Sequence, residues 1–254
     1  MKKHLGFVRL WFNSNQTLSS SQKGLKLFFM QNNVFINNYR AYPSISNSDL
    51  TEFKNYLFGL NPFKPYKAFA FGSVLHSKLL EPHSPIIIPQ DVDIDLVENL
   101  ISRIKQNRFC SWVLNGSHNE MGILFNDKHT KLPCKAKLDL VCRKNIIVDI
   151  KTTSQRSYNA FVKSCYQYEY DRQAAFYLDA HNRQTPSKSC FFFVGVQKKE
   201  PYDIFVFDAL AHPNFIKDGR NKYQMLLQKW QEVGGIPNGF IAPSWNMNLL
   251  KNVA

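Results

Sequence analysis

Two carboxylates and a lysine stand on adjoining apolar runs of this chain. The first run, Lys137-Leu138-Asp139-Leu140-Val141, carries Asp139, and the second, Asn145-Ile146-Ile147-Val148-Asp149-Ile150-Lys151-Thr152-Thr153, carries Asp149 and Lys151. Side chains two apart on a strand share a face, so Asp149 and Lys151 point one way while Val148 and Ile150 enter a core. Charges raised on an apolar sheet are costly to bury without partners. A hard divalent cation gripped by the carboxylates, with the ammonium beside it, supplies such a partner. The chemistry that needs this group is phosphodiester hydrolysis. The uncatalysed reaction is extremely slow, so a site must neutralise developing charge and supply hydroxide near neutral pH, and Mg²⁺ or Mn²⁺ does both. Asp139 and Asp149 are therefore read as metal ligands, with the Ile150 carbonyl close to both. Lys151 would orient the attacking water, lower its pKa, or stabilise the pentavalent phosphorane, and the residues alone do not choose among these. A single Asp-x-Lys often marks no more than a solvated strand end. The second acidic strand ten residues earlier, with Arg143-Lys144-Asn145 between the two, argues for a hairpin.

The charge balance points the same way. The formal net charge is +13, which suits a polyanion because every phosphate neutralised releases counterions. General solubility or an acidic protein partner would also account for charge taken by itself. Its distribution is more specific. Residues 128–172 hold ten Lys or Arg against four Asp or Glu, so +6 of the excess lies around the carboxylate–lysine strands.

At 254 residues, 44% hydrophobic and 14% aromatic, the chain has the material for one substantial core and does not read as disordered. The five cysteines, Cys110, Cys134, Cys142, Cys165 and Cys190, contain no C-x-x-C pair. They read as reduced thiols rather than a zinc site or disulfide framework. The opening residues hold too short an apolar run for a signal peptide, and no segment approaches the roughly 18 apolar residues that span a membrane. A cytoplasmic protein with no membrane association is expected.

The elements that must position these residues can be placed from pattern. Residues 1–43, polar and weakly periodic, read as an N-terminal extension, with Met30 as an alternative initiator, and 44–254 as the functional domain. Ser46-Asn47-Ser48-Asp49 is a helix-opening signal, and the helix runs through Leu57. A second helix over 69–80 carries Phe71, Val74, Leu75 and Leu79 on one stripe, and a third covers 96–106. Strands are expected near 111–115, 120–126, 134–142 and 146–151. Helices follow over 158–165 and 169–180, then strands near 190–196 and 204–207, then a helix over 221–233. This order predicts an α/β fold, a central mixed β-sheet flanked by helices.

The pattern of motifs resembles the PD-(D/E)XK nuclease superfamily, and their order is similar to its exodeoxyribonuclease VIII branch, encoded by phages and prophages. The resemblance covers roughly residues 44–235. It rests on Ser46-Asn47-Ser48-Asp49-Leu50 as the entry helix, on Phe71-Gly72-Ser73-Val74-Leu75-His76 followed by Leu79-Leu80-Glu81-Pro82 as a G-x-x-x-H helix, and on Glu120, Asp139 and Asp149-Ile150-Lys151. Tyr170-Asp171-Arg172-Gln173-Ala174-Ala175-Phe176-Tyr177 is similar to the closing Q-x-x-x-Y helix. The leading proline of the family motif is absent before Asp139, which leaves the carboxylate that carries the chemistry in place.

The resemblance implies a restriction-endonuclease-like core and a further metal ligand at His76, a position otherwise suited to a satisfied boundary residue. Glu120 would lie near the metal, a second ion or the attacking water, or else be an ordinary strand carboxylate. Gln173 and Tyr177, neighbours on one helix face, would hold the lysine or a DNA phosphate, although Tyr177 also fits a core role. Thr152 and Thr153 would donate to a phosphate or cap the following helix. The implied activity is a Mg²⁺-dependent (or Mn²⁺-dependent) 5′-to-3′ exonuclease resecting double-stranded DNA in phage-type recombination. Its implied partners are a single-strand annealing recombinase and further copies of itself in a ring. An endonuclease of the same superfamily, or a degenerate nucleic-acid-binding module, are the competing readings.

Overall fold

The computed structural model describes residue 39 and residues 42–234, apart from 62–64, 143–144, 186 and 213. Most of the expected extension, Met30, residues 143 and 144 of the inter-strand turn, and residues 235–254 therefore lie outside the described residues.

Among the described residues, seven helices and five strands follow in an order that builds one sheet: α1 (Asn47–Leu57), α2 (Tyr66–Leu80), α3 (Ile94–Gln106), α4 (Arg108–Leu114), β1 (Ser117–Asn126), β2 (Pro133–Cys142), β3 (Ile146–Thr153), α5 (Tyr158–Gln167), α6 (Tyr170–Asn182), β4 (Cys190–Gln197), β5 (Ile204–Asp208) and α7 (Phe215–Glu232). The strands lie in sequence order, β1-β2-β3-β4-β5. All neighbours are antiparallel except β3 and β4, which run parallel because α5 and α6 return the chain to the same end. The expected mixed sheet covered by helices is the observed fold.

Each face of the sheet carries its own core. Val148 and Ile150 of β3, with Leu140, Val194 and Val196, pack under α2, α3 and α4. Ile147, with Leu138, Phe191, Phe193 and Phe207, packs under α1, α5, α6 and α7. Asp149 and Lys151 share the face of Ile147, as the period of two requires.

Local signals explain several helix starts. Ser46 and Asp49 form a capping box that starts α1. Ser157 caps α5 by accepting from the Ala160 amide. The expected strand near 111–115 is instead helix α4. Trp112-Val113-Leu114 is a short apolar run of the kind a strand carries, but Asn107 accepts from the amides of Phe109 and Cys110 and imposes a helical start. Cys110 and Val113, three apart, are then the buried pair. Thr152 and Thr153 do not cap α5 either. Both belong to β3, and Thr153 accepts from the Gln155 amide in the turn that follows.

Tyr39 and Tyr42, at the end of the expected extension, are tied to β2. Their carbonyls accept from the fully buried Lys135 ammonium at 3.4 and 2.8 Å. All five cysteines are free thiols, and Cys190 alone is exposed. No helix of the described residues is long and apolar enough to cross a membrane.

Helices α6 and α7 approach closely through Gly219. A Cβ added there would lie 1.9 Å from the Asp171 carbonyl oxygen, so the backbones would have to separate. Gly72, by contrast, has only Thr152 Oγ1 nearby, at 3.9 Å. Gly219→Ala is expected to destabilise the protein by about 1–3 kcal/mol through overpacking, whereas Gly72→Ala should leave stability unchanged or raise it by up to about 1 kcal/mol from helix propensity. Urea unfolding of the two variants checks the contrast, and equal midpoints would contradict the close crossing.

Candidate metal centre

The site arises where the sheet opens. Strands β2 and β3 pair only over Leu140–Cys142 and Ile146–Val148 and then part. Ile150, paired with Val194 of β4 on its other side, therefore turns its N–H and C=O into a gap. Both groups must be satisfied by something other than a neighbouring strand. The Asp139 carboxylate accepts from the Ile150 amide at 2.9 Å, and His76 Nε2 lies 2.7 Å from the Ile150 carbonyl.

That second contact fixes the imidazole. A carbonyl only accepts, so Nε2 carries a proton whether or not Nδ1 does, and an Nδ1 without one presents a lone pair. Nδ1 stands 3.4 Å from Asp139 Oδ2. Two acceptors facing each other at that distance require a proton or a cation between them. A histidine whose distal N–H rests on a backbone carbonyl is the arrangement that orients a metal ligand.

Glu120 completes the cluster. The β1–β2 register pairs Asn119 with Leu140 and Met121 with Leu138, which puts Glu120 opposite Asp139. The ladder skips this position because Glu120 adopts φ 53°, a left-handed conformation that costs a non-glycine residue about 1–2 kcal/mol. Ligand atoms of His76, Glu120 and Asp139 all lie within 4.8 Å of one another. Burial pushes the Asp139 carboxyl above its usual range, His76 opposes the rise, and Asp149 adds to it. Burial raises Glu120 too, against the ion pair with Lys137 and with help from Asp139. Two half-buried carboxylates and an imidazole lone pair, short of positive charge, fit a divalent cation such as Mg²⁺ or Mn²⁺.

Asp149 is placed differently. It lies on the adjacent strand, buried, with Lys151 Nζ at 2.6 Å from Oδ1 and Gln173 Nε2 donating to Oδ2 at 2.7 Å. It is not one of the three clustered ligands, although its charge is felt by Asp139. Burial works against the Lys151 ammonium, but Asp149, Tyr170 and Asp139 more than offset it and hold the pKa above the usual lysine value. Lys151 is thus a fixed cation. Its ammonium sits 4.8 Å over the Tyr170 ring.

The expected site residues thus fall into groups. His76, Glu120 and Asp139 converge; Asp149 and Lys151 pair beside them; the Ile150 carbonyl meets His76. Gln173 of α6 reaches Asp149, and Tyr177, one turn on, bonds Gln173 while packing on Phe176 and Phe191. Thr152 faces Gly72 of α2, and Thr153 is buried in its turn. Two contributors carried no assigned role in the sequence reading. Lys137, which pairs with Glu120, could have been found from its spacing of two from Asp139. Tyr170 carries no local signal, because its contact with Lys151 is created by the parallel crossover.

A family model described as a PDDEXK-like domain of unknown function (DUF3799) matches residues 46–235. Among solved structures, a candidate exonuclease of Eubacterium rectale is similar with a TM-score of 0.58 at 17% identity, covering 86% of this chain and 85% of that one. A phage-related exonuclease of Haemophilus somnus has a TM-score of 0.41 at 12% identity, over 72% of this chain and 79% of that one. No curated protein matches.

The crowded acids set a testable pH and metal response. A carboxyl whose folded pKa is raised binds its proton more tightly in the folded chain. Its contribution thus favours folding at low pH and is lost as pH climbs from the ordinary carboxylate value through the raised one. Asn at 139 keeps an oxygen for the Ile150 amide and has no charge to lose. In EDTA at neutral pH, Asp139→Asn should melt at or above wild type. Saturating Mn²⁺ or Mg²⁺ should raise the wild-type Tm, by about 2.7 kcal/mol of stability at a hundredfold excess over Kd, and leave the variant unmoved. A metal response of equal size in both proteins would rule out Asp139 as a ligand.

Proposed function

The chain belongs to the PDDEXK-like family matched by residues 46–235, and from that membership we propose that it is a metal-dependent deoxyribonuclease, a phosphodiester hydrolase that resects linear double-stranded DNA from the 5′ end. The observation that carries this reading is the convergence of His76, Glu120 and Asp139 within 4.8 Å, beside a lysine that stays charged.

His76 Nδ1, Glu120 and Asp139 would hold the cation, with Asp149 and the Ile150 carbonyl at its border. Bound there, Mg²⁺ or Mn²⁺ supplies charge neutralisation and an activated water. The chain's own residues do the rest. Lys151, protonated and walled by Tyr170, offers a positive charge to the phosphoryl oxygens as negative charge develops. A protonated lysine does not serve as a general base, but it remains able to orient the attacking water, lower its pKa or stabilise the phosphorane, and we assign it to the last of these. Gln173 fixes the Asp149 carboxylate, and Tyr177 fixes Gln173, so these two position the acid–lysine pair. Thr152 and Thr153, at the end of β3, would meet the DNA backbone by the family resemblance, Thr152 more readily than the buried Thr153.

The net charge of +13, with +6 of it in residues 128–172, supports a duplex substrate. The 5′ polarity, the role in phage-type recombination, a single-strand annealing recombinase as partner and a homo-oligomeric ring around DNA extend the reading along the family resemblance. Residues 44–254 would form the nuclease domain and 1–43 an extension to it.

One assay tests the core of the proposal. Purified protein is incubated with linear and covalently closed duplexes in Mg²⁺ or EDTA, alongside Lys151→Ala and Asp149→Asn. Loss of linear DNA in Mg²⁺ alone is expected, with closed circles spared and each variant slowed at least about a hundredfold. Release of a 5′ label ahead of a 3′ label reads the polarity. Cleavage of closed circles would replace the exonuclease with an endonuclease. DNA binding without metal-dependent cleavage would reject the enzyme in favour of a binding module.

A further inference from the structure

Three tyrosines fall within five residues at the junction of α5 and α6: Tyr166, Tyr168 and Tyr170. Tyr166 turns toward α7 and meets Phe215 edge-on at 4.8 Å. The other two line up with the site. Tyr170 stacks on Phe193, with centroids 5.4 Å apart, and takes the Lys151 ammonium over its ring at 4.8 Å. Tyr168 stands 5.8 Å from Tyr170, tilted by 41°, and is 64% exposed. Two steps therefore lead from the charged lysine to an aromatic face in solvent.

The backbone between them is strained. Glu169 adopts φ 54° and ψ 36°, a left-handed conformation for which glycine is the ordinary choice. Here a charged residue is held in it instead. Lys54 of α1 pairs with the Glu169 carboxylate at 2.8 Å, and Arg172 lies 3.7 Å away. The Tyr168 amide donates to the Ser164 carbonyl at 2.9 Å, and the Glu169 amide to the Tyr166 carbonyl at 3.1 Å. The turn that presents Tyr168 is thus pinned from both sides. An exposed ring in contact with one partly buried neighbour adds little to folding, so the rigid presentation asks for another purpose.

We propose that Tyr168 is a stacking platform for a base of the substrate strand. The base, unstacked from the duplex beside the scissile phosphate, lies on the exposed Tyr168 ring, while Tyr170 keeps Lys151 aimed at the phosphate. This rests on the nuclease reading of the site. The ligand class follows from the chemistry: every base has a π-face, an aromatic ring accepts it without regard to sequence, and the adjoining cation takes the phosphate. Tyr168 is a positioning residue here, acting on where the strand lies.

The test pairs variants with damaged substrates. The full chain and its Tyr168→Ala, Tyr168→Phe and Tyr168→Trp variants are assayed on linear duplexes carrying one abasic nucleotide at successive positions from the end. Tyr168→Ala should lose about ten- to a hundredfold in kcat/KM on intact DNA, and Phe or Trp should restore it. At one position the abasic nucleotide should slow wild type by a similar factor and leave Tyr168→Ala unaffected. Equal slowing of both proteins at every position, or an alanine variant as fast as wild type, overturns the proposal. 2-Aminopurine at each of the same positions, measured in EDTA, gives a readout free of cleavage, the unstacked base being bright unless the Tyr168 ring quenches it. Quenching by wild type but not by Tyr168→Ala, in a protein that cuts no DNA, would remove the nuclease reading and keep the stacking site. Cleavage without quenching would remove the stacking site alone, leaving the exposed ring to a protein partner.

Discussion

The structure turns on a local failure of sheet pairing. β2 and β3 are hydrogen-bonded for three residues and then separate, which exposes the amide and carbonyl of Ile150 inside the protein. An unpaired buried backbone group costs about as much as a lost hydrogen bond, on the order of 1–3 kcal/mol. The chain meets that cost with functional side chains: Asp139 for the amide and His76 for the carbonyl. The two contacts that repair the sheet also aim a carboxylate and an imidazole lone pair at one point. Opposite them, the break in the β1–β2 ladder at Glu120 adds a second carboxylate. The same two contacts satisfy the backbone and place the candidate ligands.

Charge is then divided unevenly between the two halves of the site. Asp149 faces one ammonium and one amide donor, and its negative charge is matched within its own strand and α6. Glu120 and Asp139 share His76 and Lys137, and burial leaves both carboxyls harder to ionise than usual. Inside a protein such a deficit weighs more than it would in water. The deficit marks where a cation stabilises most, and its side chains come from β1, β2 and α2, beside the Asp-x-Lys strand rather than from it. The lysine is on the other side of the balance, held charged by its neighbours.

What the sequence disclosed and what it withheld follow from the range of the interactions. The capping box at Ser46, the helical stripe ending in His76 and the apolar run of β3 are set by neighbours within a few residues, so they are readable. Asp139, Asp149 and Lys151 stood out because charges on apolar strands conflict with local pattern. Helix α4 reads as a strand in the sequence because the five residues 111–115 carry too little periodicity, and the decisive signal is the cap at Asn107. Contacts that join distant segments left no trace: the register that sets Glu120 against Asp139, the ring of Tyr170 over Lys151 and the turn fixed by Lys54. Glu120 could be suspected from motif order, but its strained φ and its partner Lys137 belong to the pairing of β1 with β2.

The acid–lysine pair is also only as precise as α6, which supplies Gln173, Tyr177 and Tyr170. That helix is anchored from behind. Arg220 grips Asp179 with two bonds of 2.8 and 2.7 Å, Tyr223 donates to the same carboxylate at 2.5 Å, and Lys222 holds Asp171 at 2.7 Å. The missing side chain at Gly219 lets α7 come close enough for all of these to form. A two-point guanidinium contact fixes orientation as well as distance, so α6 is restrained against both rolling and sliding. Catalytic geometry tolerates errors of only about half an ångström. A small rotation of α6 would withdraw Gln173 from Asp149 and the Tyr170 ring from Lys151 together. The residues that set the accuracy of the site therefore include a glycine and an arginine on α7 that touch none of its chemistry.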